Sequence, residues 1–330
     1  MASGIVCPRA LRIERLGLGI KNVLGSKRHM RGAKAKGTVG VIGLGIMGGS
    51  FARNLVRSGW RVVGYDLDPA RRRELAKDGV EIARDARSAA AAAPLVITSL
   101  PKPEALMATA REIAAARLPK RIVAECSTFT IEDKLKAERV LSKAGHALLD
   151  CPVSGTGSQA ATGDLVIYAS GDSKAIARFK PVFAGFSRKT YDVGGFGDGS
   201  RMKFVANLLV AINNVASAEA MVMGMKAGLD PAKIFEMISS GAGNSRVFEL
   251  RAPMMVQNDY SKATMKCSVW QKDMDVIGAF ARSLKVPTPL FSATLPVYAA
   301  ALKRGHASDD TAAVCDVLEA KAGVKRRKRR

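Results

Sequence analysis

Histidine and cysteine are scarce in this 330-residue chain, and their scarcity excludes several kinds of site. Only His29, His146 and His306 are present, so few residues could serve a metal centre or act as a histidine base. The five cysteines are odd in number and include no C-x-x-C pair, which indicates reduced thiols and neither a disulfide framework nor a zinc site. We therefore predict no metal and a reducing compartment, the cytoplasm.

Long apolar runs are also missing. No run reaches the roughly eighteen consecutive apolar residues of a membrane-spanning helix, which predicts no membrane partner. With 48% hydrophobic residues and a mean hydropathy of +0.04, the chain can nevertheless bury a large core. Its length suggests two domains.

Acidic residues are nearly absent from the two ends of the chain, where most of the net charge of +23 is concentrated. Residues 1–36 hold nine lysines and arginines against one acid, and residues 321–330 hold seven against none. Such charge runs are usually solvated. We expect a basic, disordered extension over 1–36, with a start at Met30 or a mitochondrial presequence directing the protein to the matrix as alternatives. We expect a second basic tail over 321–330.

Three glycines early in the chain have the spacing of a dinucleotide-binding turn. Gly43, Gly45 and Gly48 follow a β-branched apolar run over 38–42 and precede helix-like spacing over 46–58. In such a unit the first glycine permits the turn, the second lets the backbone approach a pyrophosphate, and the third allows close packing of helix on strand. The helix N-terminus offers free N–H groups to the anion. This context predicts a dinucleotide cofactor.

A second apolar run, residues 61–65, ends in Asp66, about twenty residues beyond the glycines. A carboxylate there would bind the adenosine ribose hydroxyls and repel the extra phosphate of NADP, which favours NAD. Alternatively, Asp66 caps the turn before the next helix. Arg71, Arg72 and Arg73 could reach a 2′-phosphate, so NADP remains possible.

Short β-like runs alternate with helix-like segments from residue 38 to about residue 150. The predicted strands are 38–43, 61–66, 95–100, 121–126 and 146–150. The predicted helices lie near 46–58, 69–78, 84–92, 103–116 and 130–143. A further strand, helix and strand are predicted at 165–170, 173–183 and 189–193. This alternation predicts an α/β Rossmann-type doubly wound parallel sheet, which we assign to residues 37–196.

Beyond a glycine-rich stretch at 194–200, interpreted as a flexible joint, strand-like patterns cease. Residues 202–227 form one long apolar pattern, a helix of about 39 Å at roughly 1.5 Å per residue. More helices are predicted near 231–239, 246–257, 266–285, 291–304 and 309–321. We therefore predict an all-α C-terminal domain over 197–320, joined to the sheet by a long interdomain helix.

Candidate ligand-binding residues follow the predicted strands, because the carboxyl ends of parallel strands face the ligand. Leu100-Pro101 and Ser127-Thr128 lie at two such ends, where the nicotinamide half of a dinucleotide should pass. The loop 150–159 is rich in small and hydroxyl residues, which suit carboxylate or phosphate oxygens. A plain interdomain turn would have the same composition.

Lys203 and Asn207 are the candidates for proton transfer. They are four residues apart near the start of the long helix, and hence on one face of it. Their neighbours are mostly apolar, so a lysine facing a cleft here would be desolvated, which lowers its pKa towards the working pH of a general acid or base. A surface lysine beside Arg201 is the alternative interpretation.

Together, these segments resemble the β-hydroxyacid dehydrogenases, the group of 3-hydroxyisobutyrate dehydrogenase and 2-hydroxy-3-oxopropionate reductase, related to 6-phosphogluconate dehydrogenase. The likeness runs from about residue 38 to 320. Its motifs are Val41-Ile42-Gly43-Leu44-Gly45-Ile46-Met47-Gly48, Leu100-Pro101, Ser127-Thr128, Asp150-Cys151-Pro152-Val153-Ser154-Gly155, Gly197-Asp198-Gly199-Ser200-Arg201-Met202-Lys203-Phe204-Val205-Ala206-Asn207 and Lys272-Asp273.

The resemblance implies an NAD(P)-dependent enzyme that interconverts a small β-hydroxy acid and its semialdehyde or keto acid, as a homodimer or homotetramer. It implies that Lys203 is the catalytic acid or base, and that Asn207 and the loop Ser154-Gly155-Thr156 hold the substrate. It also implies a set of cofactor-binding residues, namely Gly43, Leu44, Gly45, Ile46, Met47, Gly48, Asp66, Leu100, Pro101, Thr128 and Lys272.

The chain departs from the family pattern around the expected substrate pocket. Thr156 and Gln159 stand where glycines are usual, and Thr264 aligns with an aromatic position. The alternative function is a dinucleotide-binding scaffold whose basic tails bind nucleic acid or another polyanion. The body of the chain lacks the clustered basic and aromatic residues of a nucleic-acid site, so we expect the enzyme.

Overall fold

A six-stranded parallel sheet forms the first half of the protein. The computed structural model describes residues 35–326, so most of the predicted N-terminal extension and the last four residues of the chain lie outside the described part. The strands are β1 Thr38–Ile42, β2 Arg61–Tyr65, β3 Glu81–Ile82, β4 Leu95–Thr98, β5 Ile122–Glu125 and β6 Ala147–Asp150. Their order is β3-β2-β1-β4-β5-β6, the order of a dinucleotide-binding sheet.

Helices cover both faces of this sheet. They are α1 Ile46–Arg57, α2 Pro69–Lys77, α3 Ala86–Ala91, α4 Pro103–Ala115 and α5 Ile131–Lys143. Alternate residues of β4 enter different cores: Leu95 and Ile97 pack on one side, and Val96 packs on the other. The predicted doubly wound fold is therefore confirmed. The prediction omitted β3, which has only two residues, Glu81 and Ile82, both exposed.

A small mixed sheet follows the main one. It consists of β7 Val153–Ser154, β8 Val166–Ala169 and β9 Lys189–Asp192, with α6 Gly157–Thr162 and α7 Ser173–Phe183 between the strands. Strand β7 is antiparallel to β8, and β9 is parallel to β8. The segment predicted as a loop over 150–159 thus contains a short strand and the start of a helix.

The remaining described residues are helical, as predicted. The helices are α8 Asp198–Lys226, α9 Pro231–Ser239, α10 Arg246–Gln257, α11 Cys267–Ser283, α12 Pro289–Lys303 and α13 Val314–Ala322, with short 3₁₀ turns at His306–Ser308 and Thr311–Ala313. Helix α8 begins four residues before the predicted start. Asp198, Gly199 and Ser200 therefore form its first turn, and their assignment to a flexible joint is wrong.

Helix α8 connects the sheet to the helical region. Among residues 35–326 it is the one helix long and apolar enough to cross a membrane. Part of its apolar surface, including Phe204, Ala211 and Val215, belongs to the core of the helical region, where α10, α11, α12 and α13 pack against it. Its N-terminal part packs against β6, β7 and β8, so the first turn of α8 lies beside the carboxyl end of the main sheet.

Candidate active site

The turn from β1 to α1 is shaped to hold a dinucleotide. A methyl group on Gly43 would lie 2.1 Å from the carbonyl oxygen of Ser99, and one on Gly48 would lie 1.9 Å from the carbonyl oxygen of Gly43. Nothing lies within 4 Å of the same position on Gly45, which is open. Helix α1 has no side-chain cap and no acid in its first turn, so its N–H groups are available to an anion. The site therefore fits a pyrophosphate.

Asp66 is held beside this turn. Its Oδ2 accepts a hydrogen bond of 2.7 Å from the N–H of Leu44, and its Oδ1 accepts one of 2.8 Å from the N–H of Asp68. The side chain of Asp68, and not that of Asp66, caps α2 by accepting from the N–H of Ala70. Asp66 thus caps the turn that precedes α2, as the alternative interpretation predicts, and its role at the ribose stays a prediction.

Arg72 is the one residue of the Arg71–Arg73 run that contacts Asp66. Its Nη1 donates to the Asp66 carbonyl oxygen at 2.9 Å, and its guanidinium carbon lies 5.8 Å from the centre of the Tyr65 ring. Arg71 instead lies 3.8 Å from Asp68, and Arg73 is exposed. The Arg72 guanidinium therefore lies next to the predicted ribose site, which also contains the Asp66 carboxylate.

The strand ends predicted to line the nicotinamide lie together. The N–H of Leu100, after β4, donates to the Ser127 hydroxyl, after β5, at 2.8 Å. Helix α11 reaches the same side through Lys272, whose Nζ lies 5.0 Å from the centre of the Phe129 ring. Thr128, which lies between Ser127 and Phe129 in the sequence, is half-buried, and Pro101 is exposed.

Lys203 and Asn207 lie on the buried side of α8 together with a carboxylate from α11. Lys203 is 8% exposed, Asn207 4% and Asp273 5%. The Asn207 Nδ2 donates to Asp273 Oδ2 at 3.0 Å, and Lys272 Nζ lies 3.8 Å from Asp273 Oδ1. The alternative that Lys203 is an ordinary surface lysine is therefore wrong.

The surroundings of Lys203 adjust its affinity for a proton. Burial lowers the pKa of Lys203, and the positive charges of Lys272 and Lys134 lower it further, against the opposing effect of Asp273. Burial likewise raises the pKa of Asp273, although both neighbouring lysines oppose this. A lysine with a lowered pKa can release and recover a proton nearer neutral pH than an exposed one.

The loop after β6 departs from the family pattern for a local structural reason. Thr156 is the N-cap of α6: its hydroxyl accepts from the Gln159 N–H, while the Gln159 Oε1 accepts from the Thr156 N–H at 3.0 Å. The Gln159 amide also donates to Asp164 at 3.0 Å. These two departures therefore form a capping box that fixes α6. Ser154 lies on β7, which packs against α8.

Thr264, the third departure, joins this loop to the helical region. Its carbonyl oxygen accepts from the Gly157 N–H at 3.4 Å, and its hydroxyl donates to the buried Asp310 at 2.8 Å. A hydrogen bond to Thr264 thus links the predicted substrate loop to the helical region.

A buried ion network underlies the site and was not predicted from the sequence. Lys134 of α5 is fully buried and lies 2.6 Å from Glu125 Oε2 and 2.7 Å from Asp150 Oδ1. Asp150 also accepts from the backbone N–H and the hydroxyl of Ser200 at 2.7 and 2.9 Å. The available signal was that Lys134, Ala137 and Leu141 share one helix face, so the lysine occupies a position in the apolar stripe.

Three features define the class of protein: a glycine turn that fits a pyrophosphate, the Asp66 carboxylate beside that turn, and the buried Lys203. The protein is an NAD(P)-dependent oxidoreductase acting on a CH–OH group. Residues 38–195 match the model of the NAD-binding domain of 6-phosphogluconate dehydrogenase, and residues 197–318 match that of the NAD-binding domain of NADP-dependent 3-hydroxyisobutyrate dehydrogenase. The chain belongs to the β-hydroxyacid dehydrogenase family.

Relatives with dehydrogenase names match the chain over nearly their whole length. The chain is 32% identical to an L-threonate dehydrogenase of Cupriavidus necator, over 85% of this chain and 95% of that protein. It is 30% identical to an NAD-dependent L-serine dehydrogenase of Pseudomonas aeruginosa, over 86% of this chain and 99% of that protein. The structure of Mycobacterium tuberculosis 3-hydroxyisobutyrate dehydrogenase with L-serine superposes with a TM-score of 0.77 at 29% identity, covering 86% and 99% of the two chains. The predicted family, fold and NAD(P) cofactor are confirmed, and nothing in these comparisons supports the nucleic-acid alternative.

Proposed function

We propose that this protein oxidises a small hydroxy acid with NAD, or reduces the matching semialdehyde or keto acid, with Lys203 as the general acid or base. The observation that carries the proposal is the desolvated Lys203, one helical turn from Asn207 and within electrostatic reach of Lys272, a predicted nicotinamide-side residue. The names of the relatives indicate the substrate class, a short carboxylic acid bearing a hydroxyl group.

The side chains would divide the chemistry as follows. NAD(P), which the β1–α1 turn and Asp66 would hold, would supply hydride transfer to or from the substrate carbon that carries the hydroxyl group. In oxidation the neutral Lys203 amine takes the hydroxyl proton, and in reduction the ammonium returns it. Asn207 must direct its amide nitrogen to Asp273, because that carboxylate only accepts hydrogen bonds. The Asn207 Oδ1 is thereby left to accept a hydrogen bond from the substrate.

The substrate carboxylate is assigned to the loop after β6. The Ser154 hydroxyl and the Gly155 N–H are the donors that we propose, since the N–H and hydroxyl of Thr156 are already bonded within the capping box and to Ser158. Thr156 contributes by fixing the shape of this loop. Leu100, Pro101, Thr128 and Lys272 are proposed to line the nicotinamide.

Asp66 favours NAD, since a 2′-phosphate would approach its negative charge. Kinetics with NAD and NADP in parallel test this preference. A higher kcat/KM with NADP would show that the Arg72 guanidinium outweighs the carboxylate.

The proposal is tested by following the near-ultraviolet absorbance of the reduced nicotinamide with a panel of acids. The panel contains 3-hydroxyisobutyrate, glycerate, 3-hydroxypropionate, threonate, 4-hydroxybutyrate and L-serine, and the reverse reaction uses the matching carbonyl compounds. Replacing Lys203 with Ala should lower kcat by roughly 10², the usual scale of acid–base catalysis, without changing the Kd of NAD. Lys226→Ala, at the other end of α8, is the matched control. Full activity of the Lys203→Ala variant would refute the assigned role.

We further propose that the protein is a homodimer or homotetramer. Three apolar side chains on the N-terminal part of α8 are exposed: Met202 by 39%, Val205 by 52% and Leu209 by 54%. Their spacing of three and four residues places them on one face, a stripe that a second copy would cover. Location in the cytoplasm stays a prediction from the cysteine pattern, and residues 1–34, which bear on the mitochondrial alternative, lie outside the described part.

A further inference from the structure

Three oxygen atoms surround the Lys134 ammonium. The Nζ lies 2.6 Å from Glu125 Oε2, 2.7 Å from Asp150 Oδ1 and 2.7 Å from the Ser127 carbonyl oxygen. The side chains of Lys134, Glu125 and Asp150 are all fully buried. The contacts with Asp150 and Ser127 are hydrogen bonds, whereas the contact with Glu125 is an ion pair without hydrogen-bond geometry. The two carboxylates, Asp150 first, outweigh burial and hold the pKa of Lys134 above its ordinary value, so that it stays charged.

On one side, the network reaches the segments that would line the nicotinamide. Ser127, whose carbonyl oxygen binds Lys134, donates its N–H to Glu125 Oε1 at 2.8 Å and accepts the Leu100 N–H at its hydroxyl. Both Leu100 and the Ser127-Thr128 segment are therefore fixed to the same ammonium through at most two hydrogen bonds.

On the other side, the network reaches the helix that carries the proposed acid or base. Asp150 accepts from the N–H and the hydroxyl of Ser200, in the first turn of α8. Lys203 follows three residues later on the same helix. Ser170 adds a parallel link, because its hydroxyl donates to the Asp150 carbonyl oxygen at 3.0 Å and accepts the Gly199 N–H at 3.0 Å.

Stability alone does not account for this arrangement. A buried ion network contributes little net stability, because the cost of removing its charges from water offsets their attraction. The formal charges of Lys134, Glu125 and Asp150 sum to a net negative charge, which the positive N-terminus of α8 complements. The network therefore specifies where α8 begins relative to β5 and β6.

We propose that Lys134 is a positioning residue for hydride transfer, which fixes the start of α8, and with it Lys203, relative to the nicotinamide-side segments at Leu100 and Ser127. This inference rests on the proposed function. Rates of such reactions depend steeply on geometry, since a displacement of about 1 Å at the reacting atoms can cost roughly 10² in rate.

The first experiment uses Ser200→Ala and Ser127→Ala, because Lys134→Met would leave two buried carboxylates without a countercharge. Ser200→Ala removes the hydroxyl bond to Asp150 and keeps the backbone bond. We expect kcat to fall by about five- to tenfold, because the rate of hydride transfer depends steeply on distance. The kinetic isotope effect measured with substrate deuterated at the reacting carbon should increase. The KM of NAD and the position of the pH–rate profile should stay unchanged, because Lys134 keeps its charge. Lys136→Met, an exposed neighbour on α5 paired with Glu132, is the control and should behave as the unaltered enzyme.

Several outcomes would overturn the inference. One is a pair of serine variants with unaltered kcat and isotope effect. Another is a displaced pH–rate profile, which would assign the network an electrostatic role instead of a positioning one. Both results require that the unaltered protein turns over a substrate. If the unaltered protein shows no turnover, that result counts against the proposed function and not against this inference.

A second measurement needs no substrate. Hydrogen exchange on Lys134→Met should show faster exchange at 127–129 and at 198–203 together, relative to Lys136→Met. Faster exchange at only one of the two segments would show that Lys134 does not link them. If the Lys134→Met variant is globally unfolded, the same measurement is made on Ser200→Ala. Hydrogen exchange at 198–203 and at 127–129 should again be faster in both segments together.

Discussion

Lys203 is surrounded by groups that act on its proton in opposite directions. Burial and the charges of Lys272 and Lys134 favour the neutral amine, whereas Asp273 favours the ammonium. The same carboxylate holds the Asn207 amide at 3.0 Å. Asp273 therefore has two separable effects, one through its charge and one through its hydrogen bond.

Replacing Asp273 with Asn separates these effects, because the amide oxygen can still accept from Asn207. Loss of the negative charge should lower the pKa of Lys203 further, since the ammonium loses its nearby anion. Oxidation requires the neutral amine, so its rise in kcat/KM with pH should move to lower pH. Reduction requires the ammonium, so its decline should move in the same direction. Both are measured as pH–rate profiles.

Asp275→Asn is the matched control for this prediction. Asp275 lies on the same helix, is exposed and accepts a hydrogen bond from Gln271. A profile of Asp273→Asn that moves to higher pH would contradict the charge assignment.

At this scale the sequence predicts some residues and misses others for a clear reason. Lys203 and Asn207 are four residues apart, so their shared helix face follows from local geometry. Asp273 lies 66 residues from its partner Asn207, and Asp150 lies 50 from Ser200. Such pairings depend on how α11 and β6 pack against α8, which no local pattern determines.

The strand–turn–helix unit at the start of the sheet shows how one element combines stability with binding. Gly48 is crowded by the Gly43 carbonyl oxygen, whereas Gly45 faces open space. Two substitutions that add the same methyl group should therefore have different effects.

Gly48→Ala should destabilise the protein by about 1–3 kcal/mol, the usual cost of overpacking, and weaken NAD binding at least about tenfold, or roughly 1.4 kcal/mol. Gly45→Ala should weaken NAD binding by a similar factor with little change in stability, because its methyl group points into the space for the pyrophosphate. Thermal unfolding and calorimetric titration with NAD measure the two effects. Equal losses of stability in both variants would contradict the structural distinction.

Element boundaries were predictable where periodicity was strong and were missed where turn-forming residues occur. The strands β1, β2, β4, β5 and β6 follow from their apolar runs. Asp198, Gly199 and Ser200 have the composition of a loop, yet they form a helical turn. Ser170 accepts the N–H of Gly199, and Asp150 accepts the N–H and the hydroxyl of Ser200. Helix α6 was missed because its capping box is recognisable only once Thr156 is known to precede a helix.

The exposed apolar stripe of Met202, Val205 and Leu209 on α8 is the proposed contact between copies of the chain, and a substitution in it tests the assembly. Leu209→Glu would place a charge in the stripe, which a second copy could cover only by burying that charge. We expect this variant to have the mass of one chain, 35.0 kDa, in size-exclusion chromatography with light scattering. The unaltered protein should have the mass of a dimer or tetramer.

Leu284→Glu, an exposed leucine at the end of α11, is the control and should leave the mass of the assembly unchanged. An unaltered assembly in Leu209→Glu would show that this face of α8 is not the contact.

Gly199 limits how an enzyme of this architecture can change its substrate. A methyl group there would lie 2.4 Å from the carbonyl oxygen of Tyr168 and 2.7 Å from that of Asp150, so the start of α8 has no room for a new side chain. Evolution towards acids as different as threonate, serine and hydroxyisobutyrate must then proceed by substitution elsewhere around the pocket. The 154–162 segment has its own helix cap and contributes to the small sheet, so it can diversify without moving Lys203, the proposed acid or base.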